Sequence, residues 1–347
     1  MERKAVSLRD VAAVAGVSLS TASKVLRGQG KASEATRKRI LEAAERLDFQ
    51  PNALGQFLAQ GRSATIGILA ENAPGAFTMP VLTGATTAFG ERDLSVLVYD
   101  SHLDRTVLSS TVRKLKARKV DGLLMIGDGT GTDMHSVSEG FSVPVVYAYG
   151  VSDDPHDASF MHDGFLAGRL AAEHLIGLGR TRLAHITASP SDLSALARAE
   201  GLRAGLADAG LSLVSGQPLH GDWSRSWGIE AARRLLAGGE SFDAVFCGND
   251  TIASAVQEVL RDAGTRVPED VAIVGMDNLS GLSGQHDGLL TTIDPHLTEL
   301  GAVAARYLAD AIEGGEYEGG VHTIPCTLIP GESTGVRPRS AGAPAAA

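Results

Sequence analysis

The chain has 347 residues, 44% hydrophobic, 21% charged and 5% aromatic, which is ordinary globular composition at a length expected for two or three domains and excludes a disordered or fibrous chain. Gly and Pro together are 54 residues, far short of a collagen-like share, and no apolar run of about 18 residues occurs, so neither a collagen-like repeat nor a membrane-spanning helix is expected. The formal net charge of −10 speaks against a nucleic-acid partner until it is divided: residues 1–62 hold 11 basic and 6 acidic residues, a net of +5, and the remainder hold 20 and 35, a net of −15.

A small basic module is therefore joined to a large acidic one. Its first residues, MERKAVSLRD, lack the apolar segment and cleavage site of a secretory signal, so a cytoplasmic protein is expected. In the basic module, Ser7 and Asp10 form a capping box ahead of an apolar stripe of Leu8, Val11, Ala12 and Ala15. Gly16 supplies the left-handed stop, and Ser18 caps a second helix whose inner face is Ala22, Val25 and Leu26. Ser20, Thr21, Lys24 and Arg27 fall on its polar face. A third helix is expected over 33–47, with Ile40, Leu41, Ala44 and Leu47 inward and Arg37, Lys38 and Arg39 outward. Three short helices with this turn suit a helix-turn-helix, although a plain three-helix cap with solvated charges would share the pattern.

The run SLRDVAAVAGVSLSTASKVLRGQGKASEATRKRILEAAERLDFQPNALGQFLAQGRSATIGIL closely resembles the N-terminal segment of the LacI/GalR family of bacterial transcription regulators. The resemblance implies that Leu19, Ser20 and Lys24 read base edges while Ser18, Thr21 and Ser23 lie near the phosphate backbone. The chemistry suits those roles: Lys reaches guanine O6/N7, Ser donates or accepts, and Leu suits a thymine methyl. Lys24 stands where the family usually has Arg, and Arg27 where Asn is common. The operator sequence therefore does not transfer from a relative.

Pro51 stops the third helix, and Asn52 is placed to cap a short new one with Ala53, Leu54, Phe57 and Leu58 on its apolar positions. So short a helix containing Gly55 is unstable alone in water. The resemblance implies that this hinge helix pairs with its copy in a second subunit and that Leu58 wedges into a minor-groove step of the operator; a linker with a few buried apolar residues is the plainer reading. The DNA-binding set is thus Ser18, Leu19, Ser20, Thr21, Ser23, Lys24, Arg27, Asn52 and Leu58.

From Ala64 onward, apolar runs of buried parallel strands (ATIGILA, LSVLVYD, VDGLLMIG, VPVVYAY, RLAHIT, DAVFCG, DVAIVGMD) alternate with helices expected at 80–92, 106–118, 165–178, 195–209, 226–236, 251–263 and 297–312, with a last strand near HTIPCTLI. Two doubly wound α/β lobes follow, with ligand expected in the cleft at the carboxyl ends of the strands. The resemblance implies the periplasmic-binding-protein-like architecture for this module. The expected boundaries are a helix-turn-helix domain at 1–50, a hinge at 51–62 and a two-lobed domain at 63–335. Lobe 1 takes about 63–161 and 291–320, lobe 2 about 162–290 and 321–335, and a disordered tail 336–347.

Arg198 opens a helix after RLAHIT, Asn249 follows DAVFCG, Asp277 follows DVAIVGMD, and Trp223 in GDWSRSWG offers a stacking face, so these residues are expected to converge on a sugar or related polyol. The resemblance implies ligand contact for all four. An ion pair for Arg198 and Asp277, a helix cap for Asn249 and packing for Trp223 are the structural alternatives. Phe77 and Asp163 are weaker candidates. Pro295 stands where the family commonly has a ligand-touching Gln.

An enzyme on this scaffold lacks sequence support. GDGTGTD at 127–133 has no Gly-Lys-Ser/Thr to make a phosphate loop and reads as a surface loop, no GxSxG elbow occurs, and the histidines have no metal-ligand spacing. Cys247 and Cys326 sit in apolar runs and are expected to be buried, so no cofactor and no metal are expected. A solute-binding protein or sensor of the same two-lobed fold, acting without DNA, is the alternative that the N-terminal module argues against. The expectation is a homodimeric repressor on a pseudo-palindromic operator, with a small molecule in the cleft setting its affinity.

Overall fold

The computed structural model describes residues 6–26, 31–49, 62–101, 105–129, 133–281 and 288–335. Arg27, Asn52, Leu58, the hinge segment up to residue 61 and the tail from residue 336 lie outside the described residues. The chain divides into two compact units, Met1–Ala64 and Thr65–Ala347.

Unit 1 contains α1 (Leu8–Ala15), α2 (Leu19–Leu26) and α3 (Glu34–Arg46). The Asp10 carboxylate accepts both the Ser7 N–H at 2.9 Å and the Ser7 hydroxyl at 2.6 Å, fixing the start of α1. Gly16 ends it in the left-handed region at φ 65°, and the Val17 N–H closes back onto the Ala12 carbonyl at 3.0 Å. Val11, Ala12, Ala15, Ala22, Val25, Ile40, Ala43 and Ala44 form the shared core. Leu41, expected inward, is 50% exposed, and Ala43 takes the buried place. The helical period explains it: 40, 43, 44 and 47 share one face, and 41 stands about 100° away from 40.

Unit 2 begins with a lobe of β1 (Thr65–Ala70), α4 (Thr78–Gly90), β2 (Ser95–Asp100), α5 (Arg105–Ala117), β3 (Gly122–Ile126), β4 (Asp133–Met134), β5 (Val145–Ala148), β6 (Val151–Ser152) and β7 (Ala158–His162). The second lobe holds α6 (Gly164–Gly177), β8 (Leu183–Ala188), α7 (Leu193–Asp208), β9 (Leu219–Gly221), α8 (Arg225–Ala237), β10 (Ala244–Cys247), α9 (Asp250–Asp262) and β11 (Ala272–Val274). The chain then passes through β12 (Thr292–Asp294), returns to the first lobe with α10 (Leu297–Ile312) and β13 (Gly320–Ile324), and ends in β14 (Thr327–Ile329).

The first lobe is built on a parallel sheet ordered β13-β7-β5-β3-β1-β2 and the second on a parallel sheet ordered β11-β10-β8-β9. All the expected helices of this module form, with ends within two residues of those read from the sequence. β7 and β9 were not expected. Ser159 and His162 interrupt the apolar run of β7, although the whole strand is buried, and β9 has only three residues. The lobe boundary expected at residue 320 moves: β13 pairs with β7 through Ile324, so the strand read near HTIPCTLI divides at Pro325–Cys326 between the first sheet and the β12–β14 ribbon.

The chain crosses between lobes at His162–Gly164, at the stretch around β12, and at Ile324–Thr327. Helices α6 and α7 meet at backbone distance because both carry glycine at the crossing. A Cβ on Gly168 would lie 2.1 Å from the Arg198 carbonyl oxygen, and one on Gly201 would lie 1.9 Å from that of Phe165. This close approach fixes α7, and with it Arg198, against the first crossover. Cys247 and Cys326 are buried free thiols, as expected. Among the described residues no helix is long and apolar enough to cross a membrane.

Candidate functional site

Two sites are built from these elements. In unit 1, α2 carries most of the expected DNA-binding residues. Ser18 accepts the Thr21 N–H at 3.1 Å and shares a 2.8 Å hydrogen bond with the Thr21 hydroxyl, so this pair starts the helix. Leu19 is 46% exposed despite being apolar, and Ser20 and Lys24 are exposed beside it. Ala22 and Val25 hold the opposite face in the core. A helix of this kind presents a methyl-bearing side chain, a hydroxyl and an ammonium together, which suits base edges in a major groove. Ser23 is half-buried on its flank.

In unit 2, strand ends and helix starts gather a polar group around Arg198. Arg198 is buried in α7. Its guanidinium donates to the Gly248 carbonyl at 2.5 Å and to His162 Nε2 at 3.1 Å, and lies 5.0 Å from the centroid of the Trp223 ring. Trp223 is held in turn by its indole N–H, which donates to Asp192 Oδ2 at 2.8 Å. Asp192 uses its other oxygen to cap α7, accepting the Ser194 and Ala195 N–H groups at 2.9 and 3.1 Å. A Cβ on Gly248 would come within 2.7 Å of the Thr187 hydroxyl and 2.8 Å of the Trp223 ring, so glycine keeps this corner open.

Because Arg can only donate, the His162 Nε2 that receives it carries the lone pair, and Nδ1 carries the hydrogen. Burial, reinforced by the Arg198 charge, pushes the His162 pKa down to about 3, so the ring is neutral. His162 Nδ1, Thr187 Oγ1 and Arg198 Nε are buried polar atoms without a hydrogen-bond partner, each a donor that a ligand oxygen would satisfy. Asp277 is buried at φ 102°. Burial raises its carboxyl to about 7, with Arg198 opposing and Asp250 adding to the rise. Tyr149, at φ 56° after β5, belongs to the same group: burial raises its phenol, and the charges acting on it include Asp277, Arg198, Asp128 and Asp192.

The structure thus brings together Arg198, Trp223, Asn249 and Asp277, but in different ways. Asn249 Oδ1 accepts the Ile252 N–H at 2.7 Å to cap α9, and its Nδ2 donates to the Trp223 carbonyl at 3.1 Å, so one amide hydrogen remains for a ligand. Asp163 caps α6 by accepting the Leu166 N–H at 2.8 Å, and Phe77 packs on the core of the first lobe. Neither shares a hydrogen bond or ring contact with the Arg198 group. Tyr149, His162, Thr187 and Asp192 belong to the group around Arg198 and were not among the residues picked out by sequence reasoning. Only their positions at strand ends and a helix start would have found them. Of the stretch read as a surface loop at 127–133, residues 130–132 lie outside the described residues, and Gly129 is held: its carbonyl accepts the Ser194 hydroxyl at 3.1 Å, a direct bond between lobes, and at φ 80° it lies against the Tyr149 ring.

Comparison with known proteins agrees on both units. Residues 7–52 match the model of bacterial regulatory proteins of the lacI family, and residues 172–334 match the periplasmic binding protein-like domain. The ribose operon repressor of Escherichia coli (strain K12) is 32% identical over 307 residues, covering 88% of this chain and 93% of that one. The HTH-type transcriptional repressor PurR of Aliivibrio fischeri (strain MJ11) is 30% identical, covering 90% and 93%. Among solved structures, the lac repressor dimer bound to operator and the anti-inducer ONPF superposes with a TM-score of 0.75 at 26% identity, covering 95% of this chain and 99% of that one.

Proposed function

The chain belongs to the lacI family of bacterial regulatory proteins, and from that premise we infer that it is a DNA-binding transcriptional repressor, working as a dimer, whose hold on its operator is set by a small molecule bound between the lobes of unit 2. It acts by binding and not by catalysis. The ligand is a sugar or related polyol. The observation that carries this reading is the buried Arg198 guanidinium, which lies 5.0 Å from the centroid of the Trp223 ring, lacks an ion-pair partner among the described residues and acts electrostatically on the buried carboxyl of Asp277. A cation left without a carboxylate partner in a buried site is stabilised by a ligand that brings hydroxyl oxygens, while an apolar sugar face packs on the indole.

Arg198, Trp223 and Asp277 are the main ligand contacts in this reading, Asn249 contributes its remaining amide hydrogen, and Tyr149 and His162 complete the pocket from the first lobe. On the DNA side, Leu19, Ser20 and Lys24 read bases, Ser18, Thr21 and Ser23 lie near phosphates, and Arg27, Asn52 and Leu58 extend the contact. The name of the Escherichia coli relative makes ribose the first probe. A thermal-shift screen of pentoses, hexoses and nucleosides against the full chain is expected to find a stabilising compound whose effect Arg198→Ala abolishes while DNA binding persists. A screen in which no polyol stabilises the wild type, or in which Arg198→Ala responds like wild type, overturns the reading.

A further inference from the structure

Unit 2 carries one strongly basic segment that its ligand site does not use. Residues 105–120 contain six cations and no carboxylate in a unit of large negative charge. Lysine usage marks the same place: of the seven lysines, Lys4, Lys24, Lys31 and Lys38 lie in unit 1, and Lys114, Lys116 and Lys119 complete the set. Lys116 leans over the Phe141 ring at 5.3 Å. Arg113 and Lys114 stand near the end of α5, Arg118 and Lys119 in the turn beyond it, and all four are exposed.

Several arginines elsewhere on this unit are held by carboxylates, as Arg92 is by Asp310 at 2.7 Å, Arg169 by Asp208 at 2.8 Å and Arg266 by Asp270 at 2.6 Å. Arg113, Lys114, Arg118 and Lys119 have no ion pair among the described residues. The negative end of the α5 dipole accounts for cations in its last turn. It does not account for a cluster that continues past the helix end.

The topology says where this cluster lies. In a parallel sheet the connecting helix runs back along the strands, so the end of α5 sits at the edge where strands begin. The Asp121 N–H donates to the Thr65 carbonyl at 2.8 Å, and Gly122 pairs with Ile66. Thr65 is the first residue of unit 2, where the chain arrives from unit 1. The stretch from Phe49 to Thr65 is 16 residues, which spans roughly 55 Å at full extension, so DNA held by unit 1 stays within tether reach of this edge.

We propose that Arg113, Lys114, Arg118 and Lys119 form a second DNA-binding surface, a phosphate-contacting ridge on the edge of unit 2 that grips duplex backbone outside the bases read by α2. It adds affinity without sequence preference, and it offsets the repulsion that the acidic unit would otherwise exert on the duplex. The inference rests on the DNA-binding function proposed above. Neutralised phosphates release counterions, so the ridge contributes to the salt dependence of binding.

The test is fluorescence anisotropy of the full chain on a mixed-sequence duplex through a salt series, comparing wild type with Lys114→Gln/Arg118→Gln/Lys119→Gln. The plot of log affinity against log salt is expected to become shallower by about 1 for each phosphate that a protomer no longer neutralises. Lys119→Arg keeps the wild-type slope, and the single Lys119→Gln, in an exposed turn, shows a smaller change in the same direction. Melting temperature and ligand-induced stabilisation stay at wild-type values in all variants. A slope unchanged in the triple variant, with wild type still binding DNA, overturns the ridge alone. Absence of DNA binding by wild type itself overturns the function on which the ridge rests.

Discussion

Asp277→Asn tests the electrostatics of the ligand pocket in the absence of any ligand. Asp277 is almost wholly buried and its carboxyl is raised from an ordinary 3.8 to about 7. For an acid with a raised folded pKa, the folded state keeps a proton that the unfolded chain has released. Stability therefore falls as pH rises between the two values, by about 1.4 kcal/mol per pH unit, and the loss is complete above the folded value. The full effect is on the order of 4 kcal/mol at the upper limit. His162 works with the opposite sign: its folded pKa is lowered from 6.5 to about 3, so the stability it costs is present at low pH and vanishes as pH rises past 6.5. In wild type the two trends offset each other across the acidic range. Asn at 277 removes one of them, so the stability difference between Asp277→Asn and wild type, from urea unfolding at matched pH, should grow in favour of the variant from about pH 4 to 7. It should do so while sugar affinity is lost, since the amide cannot accept as the carboxylate does. Parallel stability profiles for the two proteins would refute a buried, charge-destabilised Asp277.

Four further outcomes follow from the geometry. Gly16→Ala introduces a Cβ at φ 65° with no neighbour within 4 Å, so the cost is conformational alone, about 1 kcal/mol, and is expected as a lower melting temperature of unit 1 with the ligand response intact. Lys24→Ala should weaken binding to a selected operator by roughly tenfold or more while leaving affinity for mixed-sequence DNA much less changed, a pattern that competitive gel shifts resolve. Gly129→Ala drives a methyl to 2.1 Å from the Tyr149 ring and is strained at φ 80°, so ligand affinity measured by calorimetry should fall while DNA binding is retained. Ser194→Ala removes the 3.1 Å bond to the Gly129 carbonyl, worth about 1 kcal/mol, and should shift the ligand concentration for half-maximal operator release severalfold.

The helices were legible because their stripes are periodic and their starts are marked. Ser7 and Ser18 each precede an apolar pattern and each caps or fixes a helix in the structure. The same chemistry blurred the site. An Asp or Asn between strand and helix reads equally as a ligand contact and as an N-cap, and Asp163 and Asn249 spend carboxylate or carbonyl oxygens on capping. Arg198 carried a visible signal, but its partners did not. His162 comes from a strand that no apolar run announced, Tyr149 from a left-handed residue after β5, and Asp192 from a loop more than 30 residues before the Trp223 it holds. Leu41 shows the limit of composition: an apolar residue next to Ile40 lies off the buried stripe by geometry alone.

The arrangement also limits how a ligand can act on DNA. A ligand shifts an equilibrium only by the difference in its affinity for two states. Arg198, Asn249 and Trp223 all belong to the second lobe and are tied together by the Asp192 bond and the Gly248 carbonyl, so a ligand bound to them alone would meet the same contacts in any lobe arrangement. Differential affinity has to come from groups that reach across: Tyr149 and Gly129 from the first lobe, and His162 at the first crossover. The first lobe is also the one whose β1 begins at Thr65, where the chain from the DNA-reading unit enters, and whose α5 ends in the basic cluster beside it. In the proposed reading, ligand selectivity therefore resides in the second lobe, while the sign of the response, release or retention of DNA, follows from how a given ligand meets Tyr149, Gly129 and His162.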